Sequence, residues 1–160
     1  AMIDVVESVK GITPIKSTMN ESQALIGRKV LSRYNDLKNY RKKLVNIFLN
    51  ELSSIEALKF QNKVGTSDHG NHLLPIKLTS EKMNRDNLIS SLSNDYGIQA
   101  IIQFYPLNRY SFFKKNNTES DDLKNTNDFF DNMLSLPFSC TITEKEAIYM
   151  SQSIKKIICN

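Results

Sequence analysis

The chain has 160 residues, 40% of them hydrophobic, and a formal net charge of +4. That length and apolar share suit one compact core, and no apolar run approaches the roughly 20 residues of a membrane-spanning helix. The start, AMIDVVESVKG, lacks the basic-then-apolar order of a signal peptide. Cys140 and Cys159 stand far apart, outside any Cys-x-x-Cys pattern, and read as two reduced thiols of a cytoplasmic protein.

In chain order, residues 1–18 hold Gly11 and Pro14 and show no period, so they are expected to form an irregular lead-in. Ala1 ahead of Met2 reads as a remnant, with Met2 either a native start or an arbitrary boundary. Residues 19–160 are expected to form the domain proper. From Asn20 the pattern is helical: Leu37, Leu44, Phe48, Leu52 and Ile55 share one stripe, broadened by Tyr40 and Ile47. Asn35 and Asp36 suit a second helix start, so Asn20 to Ser54 reads as one rod or as two helices meeting near Tyr34.

EALKF is a short candidate strand and HLLPIKLT a second, whose Pro75 predicts an edge position or a bulge. Asn84 is placed to cap a helix that turns Leu88, Ile89 and Leu92 inward and stops before Gly97. GIQAIIQFY alternates, which predicts a strand burying Ile98, Ala100, Ile102 and Phe104 on one face. A polar Asn- and Asp-rich loop follows the aromatic cluster at Tyr110 to Phe113. A short helix is predicted over Asn127 to Leu134, then an extended run into Pro137. In the last helix Thr143 and Glu146 form a capping box, and Ala147, Met150, Ile154, Ile157 and Ile158 make its apolar stripe. The predicted fold class is α+β: a small two-layer sandwich with a three- to four-stranded sheet packed by helices, and a long N-terminal helix or helix pair.

Few residues suggest chemistry of their own. His69 and His72 lie three apart in SDHGNHLLPIKL, at a loop-to-strand junction with no cysteine nearby. A metal site needs more ligands on a shaped loop or helix turn, so a pair at the entry to a strand is the favoured reading and no metal is expected. Arg28, Lys29, Arg33, Lys38, Arg41, Lys42 and Lys43 form a basic run that is the kind of patch phosphates meet. Tyr34 and Tyr40 fall at core-like spacing rather than as a stacking platform, which favours a solvated or subunit-facing helix over nucleic acid. No nucleophile elbow, phosphate loop or dinucleotide-binding turn occurs.

Several stretches, in order along the chain, resemble the C-terminal small domain of the DegT/DnrJ/EryC1/StrS family of pyridoxal-phosphate-dependent sugar aminotransferases. MNESQALIGRKVLSRYNDLKNYRKKL is similar to the family's Met-x-Glu-x-Gln-Ala helix start and the basic helix after it, with Met19, Glu21, Gln23, Ala24 and Gly27 in place. HGNHLLPIKL resembles the His-x-x-His strand entry, and YGIQAIIQFYPLN the Gly-Ile strand that ends in a His-Tyr-x-Pro-Leu-His loop. NTNDFFDNMLSLPFSCTITEKEAIYMSQSIKKI is similar to the family's terminal helix, Ser-Leu-Pro strand and final helix.

The resemblance implies substrate-cleft positions at His69, His72, Gln103, Tyr105 and Asn108. It implies a cofactor-phosphate or subunit-junction role for Lys16, Met19, Asn20 and Glu21. Two departures stand out. Lys16, Ser17 and Thr18 replace the family's Asn-x-Arg, and amides (Gln103 and Asn108) replace two histidines, so these positions hydrogen-bond without titrating near neutrality. The family's large domain, with its Schiff-base lysine, matches nothing in these residues. The implied reading is therefore a lobe that binds no cofactor alone and is inactive by itself. Its parent would be a homodimeric enzyme acting on nucleotide-linked keto sugars; a non-catalytic interaction module of the same fold is the alternative.

Overall fold

The computed structural model describes residues 18–62, 64–66, 69–111 and 123–159. Lys16, the rest of the lead-in up to Ser17, and most of the polar loop after Ser111 lie outside the described residues. The chain divides into two compact units after Asn35.

The first unit contributes helix α1, Glu21–Ser32. The Asn20 side chain accepts from the Gln23 N–H at 2.8 Å, and the Gln23 side chain accepts the Asn20 N–H at 3.0 Å. This reciprocal cap satisfies two of the donors that every helix start leaves open. No residue of α1 is buried.

The second unit begins at Asp36, within helix α2, Tyr34–Leu52. It continues through β1 (Leu58–Phe60), β2 (Leu74–Leu78), α3 (Arg85–Tyr96), α4 (Lys124–Asn132), β3 (Met133–Leu136) and α5 (Glu144–Cys159). The two-helix reading of the N-terminal stretch is the observed one, although Asn35 and Asp36 sit inside the first turn of α2 rather than ahead of it.

The sheet is antiparallel, in the order β1-β2-β3. Its register pairs Leu58 with Leu78, Leu74 with Leu136, and Ile76 with Leu134, so one face carries these side chains. Against that face α2 places Leu44, Val45, Phe48 and Leu52, α3 places Leu88 and Leu92, and α5 places Ala147, Met150 and Ile154, all in one buried cluster. The α+β sandwich expected from the pattern is the architecture found.

Three local expectations need correction. Pro75 lies in the central strand, not at an edge. Pairing with β1 starts only at Ile76, so on that side Pro75 has no ladder to interrupt. The GIQAIIQFY stretch forms only a single bridge, Ile101 with Ser135, instead of a full strand. Ile98 and Ala100 join the core as expected, but Ile102 is 39% and Phe104 76% exposed, because the alternation is not held by a continued ladder. Finally, α4 ends at Asn132 and Met133 and Leu134 already belong to β3, where cross-strand pairing with Lys77 and Ile76 overrides their helical spacing.

The helix ends follow the sequence closely. Asn84 Oδ1 accepts from the Asn87 N–H at 2.8 Å, and Gly97 takes the left-handed φ of 66° that ends α3. At α5, Glu146 accepts the Thr143 N–H at 2.7 Å while its own N–H donates to Thr143 Oγ1 at 3.2 Å. The backbone bond from Thr143, then the bond from its hydroxyl, hold the Glu146 carboxyl below the usual glutamate value. A lowered folded-state pKa stabilises above the unfolded value and loses that stabilisation as pH falls through the folded one. Glu146→Gln, which keeps the reach but not the charge, should therefore be less stable than the parent at neutral pH. In urea melts at stepped pH the gap should close as pH drops below about 4; a gap independent of pH would refute the assignment.

Candidate functional site

Between β1 and β2, Gly65, His69 and Asn71 are tied to one another by hydrogen bonds. Gly65 has a φ of 80°, and a Cβ there would come within 3.0 Å of Asn46 Oδ1 and 3.3 Å of Leu49 Cδ1 on α2, so only glycine fits. Its N–H donates to Asn71 Oδ1 at 3.1 Å. Asn71 is 1% exposed, has a left-handed φ of 46°, and donates its side-chain amide to the His69 carbonyl at 3.2 Å. The Asn71 N–H in turn donates to His69 Nδ1 at 3.0 Å, and Asn71 Oδ1 lies 3.0 Å from the same ring nitrogen. His69 is half-buried in this network and His72 is exposed. Among the described residues no group of three or more His, Cys, Asp or Glu is placed to hold a metal ion.

A second cluster forms where the chain leaves the Ile101–Ser135 bridge. Tyr105 packs edge-on against Tyr110 and against Phe130 of α4, with centroids 4.9 and 5.5 Å apart. Asn108 Nδ2 donates to Asn127 Oδ1 at 3.2 Å, and Arg109 Nε donates to the same oxygen at 2.9 Å. Arg109 also grips Asp131 with two bonds of 2.6 and 2.7 Å and lies 5.2 Å from the Phe130 ring centre. The hydrogen bond from Arg109 holds the Asp131 carboxyl below its ordinary value. Arg85 donates to the Phe130 carbonyl at 2.7 Å, and Lys77 of β2 pairs with Asp128. Two buried polar atoms here have no partner among the described residues: Gln103 Oε1, and Oγ of Ser135, the residue that bridges to Ile101. Such orphans are costly unless a water or ligand meets them.

The register separates the two groups. From Ile101 the chain runs antiparallel to β3, toward Met133, which pairs with Lys77 at the far end of β2. The histidine loop enters at the Leu74 end. Gln103, Tyr105 and Asn108 therefore gather beside α4, while His69 and His72 lie toward the opposite end of β2. Met19, Asn20 and Glu21 sit at the exposed start of α1, and Lys16 is outside the described residues. Arg109, Asn127, Asp131 and Ser135 were not singled out from the sequence. Asn127 and Asp131 stand one helical turn apart, a face legible in the sequence, but nothing local says that Arg109 reaches it.

These elements match known proteins in the same order. The family described as DegT/DnrJ/EryC1/StrS aminotransferase matches residues 6–155. The chain belongs to that family. It is 25% identical over 146 residues to the uncharacterized protein MJ1066 of Methanocaldococcus jannaschii, covering 89% of this chain and 38% of that one. Its fold is similar to that of Helicobacter pylori PseC, an aminotransferase of pseudoaminic acid biosynthesis, with a TM-score of 0.77 and 20% identity over 94% of this chain and 42% of PseC. Bacillus subtilis NtdA, solved with bound cofactor PMP, gives 0.77 and 21% over 96% of this chain and 37% of its own. The chain thus spans about two-fifths of the length of these relatives, and the described residues contain no helix long and apolar enough to cross a membrane.

The family implies pyridoxal phosphate, and the groove beside α5 does not fit it. A groove of about 390 Å³ between Ile98, Pro137, Ile142, Glu146, Tyr149 and Met150 offers one acid, which would repel a phosphate, and neither lysine nor arginine. Lys43, Lys77 and Lys155 are engaged by Glu144, Asp128 and Glu51.

Proposed function

We propose that this chain is the small, C-terminal lobe of a pyridoxal-phosphate-dependent aminotransferase acting on nucleotide-linked keto sugars. In this reading the cofactor, its lysine and most of its phosphate contacts belong to a large domain that these residues do not include. The observation that carries the reading is the family match over residues 6–155, together with a fold that accounts for about two-fifths of PseC. The lobe's own task would be to close over the substrate. Gln103 Oε1, buried and unpartnered, would accept a sugar hydroxyl, and Tyr105 would wall the cleft from its seat on Phe130. Asn108 would act indirectly, since its amide already donates to Asn127. The complete enzyme would be a cytoplasmic homodimer, with Met19, Asn20 and Glu21 near the subunit junction and Lys16 offering its charge to a cofactor phosphate.

A non-catalytic module of the same fold is the second reading, favoured by one observation. Arg109 and Asn108 are spent on Asn127 and Asp131 and so hold α4 in place instead of pointing donors at a ligand. Incubating the chain with pyridoxal phosphate, reducing with borohydride and mapping peptides tests the main reading. Scattered substoichiometric labelling is expected. Stoichiometric modification of one lysine would show that the chain carries its own Schiff-base site and overturn it.

A further inference from the structure

Among the half-buried lysines and arginines of the second unit, Lys77, Arg85, Arg109 and Lys155 each have a carboxylate, from Asp128, Asp86, Asp131 and Glu51. The three others, Lys38, Arg41 and Lys42, have neither an ion pair nor a side-chain hydrogen bond among the described residues. All three stand on α2. At steps of three and four they share one face within about one turn and repel one another. Drawing a cation out of water without a counter-charge is costly, and here that cost falls on three neighbouring positions.

Arg41 is the most constrained of them. It lies on the apolar stripe of α2, four residues after Leu37 and four before the buried Val45. Its Nε is shut away from solvent with no acceptor. A guanidinium seated in this way presents its terminal nitrogens in a fixed plane, the fork that meets paired oxygens, while lysines add mobile point charges. A carboxylate offers two oxygens and a single charge. A phosphoryl group offers three oxygens and up to two charges, and so answers both the fork and the flanking ammonium groups. We propose that Lys38, Arg41 and Lys42 hold a phosphate or diphosphate group of a small ligand on this face of α2. The site is argued from the unpaired charges of this chain and does not rest on the aminotransferase reading.

Isothermal titration of the full chain with pyrophosphate tests it, with chloride added to keep the ionic strength constant. One site per chain is expected, with a Kd on the order of 0.1 mM from a few charge-assisted bonds, and inorganic phosphate should bind more weakly. Arg41→Gln should weaken binding about ten-fold or more, and so should Lys38→Gln combined with Lys42→Gln. Lys82→Gln, at an exposed loop lysine, should leave the affinity unchanged. Without ligand, the Lys38, Lys42 double variant should be no less stable to urea than the parent, because it relieves like-charge repulsion; its weakened binding is then not lost folding. No saturable binding at matched ionic strength overturns the site, and so does an affinity that Lys82→Gln lowers as much as the α2 variants do. Either result leaves the lysine-labelling test of the aminotransferase reading untouched.

Discussion

Replacing Phe48 by alanine should cost about 3–5 kcal/mol, the range for deleting a buried aromatic and leaving a cavity. Phe48 is fully buried in the C-terminal part of α2, in the cluster that α2, α3 and α5 build against the sheet. A domain of this size holds only about 5–15 kcal/mol in total, so much of its margin would go. The urea midpoint should fall sharply with the slope unchanged. Leu25→Ala, on an exposed position of α1, should stay within about 0.5 kcal/mol. Equal losses at the two positions would contradict the core described above.

The second large effect is expected at Asn71. Its carbonyl oxygen accepts the Gly65 N–H, its amide donates to the His69 carbonyl, and its backbone N–H donates to His69 Nδ1. Asn71→Ala strands a buried donor and forces a Cβ residue to hold a φ of 46° without the local hydrogen bonds that suit asparagine to it. A loss of about 2–4 kcal/mol follows. Asn71→Gly breaks the same side-chain bonds but removes the backbone penalty, so it should be less damaging than alanine by about 1 kcal/mol. Equilibrium unfolding of the two variants side by side decides the matter. Glycine as harmful as alanine would mean that the backbone carries no strain there.

The same residue shows where sequence reading stops. In SDHGNHLLPIKL the histidines draw attention, because imidazoles three apart suggest chemistry. The structure makes the asparagine between them the buried centre and leaves His72 exposed. Nothing within the twelve residues tells that Gly65, itself packed on α2, donates to Asn71. The cleft candidates divide in a similar way. Tyr105 and Asn108 do each meet a partner on α4, but those partners, Phe130 and Asn127, come from across the polar loop. His69 and His72 are carried toward the opposite end of β2 by register alone.

What the sequence determined by itself is the set of features whose cause lies within about one turn of chain. The capping boxes at Asn20–Gln23 and Thr143–Glu146, the Asn84 start and Gly97 stop of α3, and the apolar stripes of α2 and α5 each depend on near neighbours and helical spacing. Tertiary structure alone decided the central place of Pro75, the exposure of Ile102 and Phe104, the early end of α4 at Met133, and the burial of Asn71. Each of these turns on which strand or helix lies alongside. Cross-strand hydrogen bonds and shared burial come from residues far away in the chain, and their energies exceed the fraction of a kcal/mol by which local preference speaks.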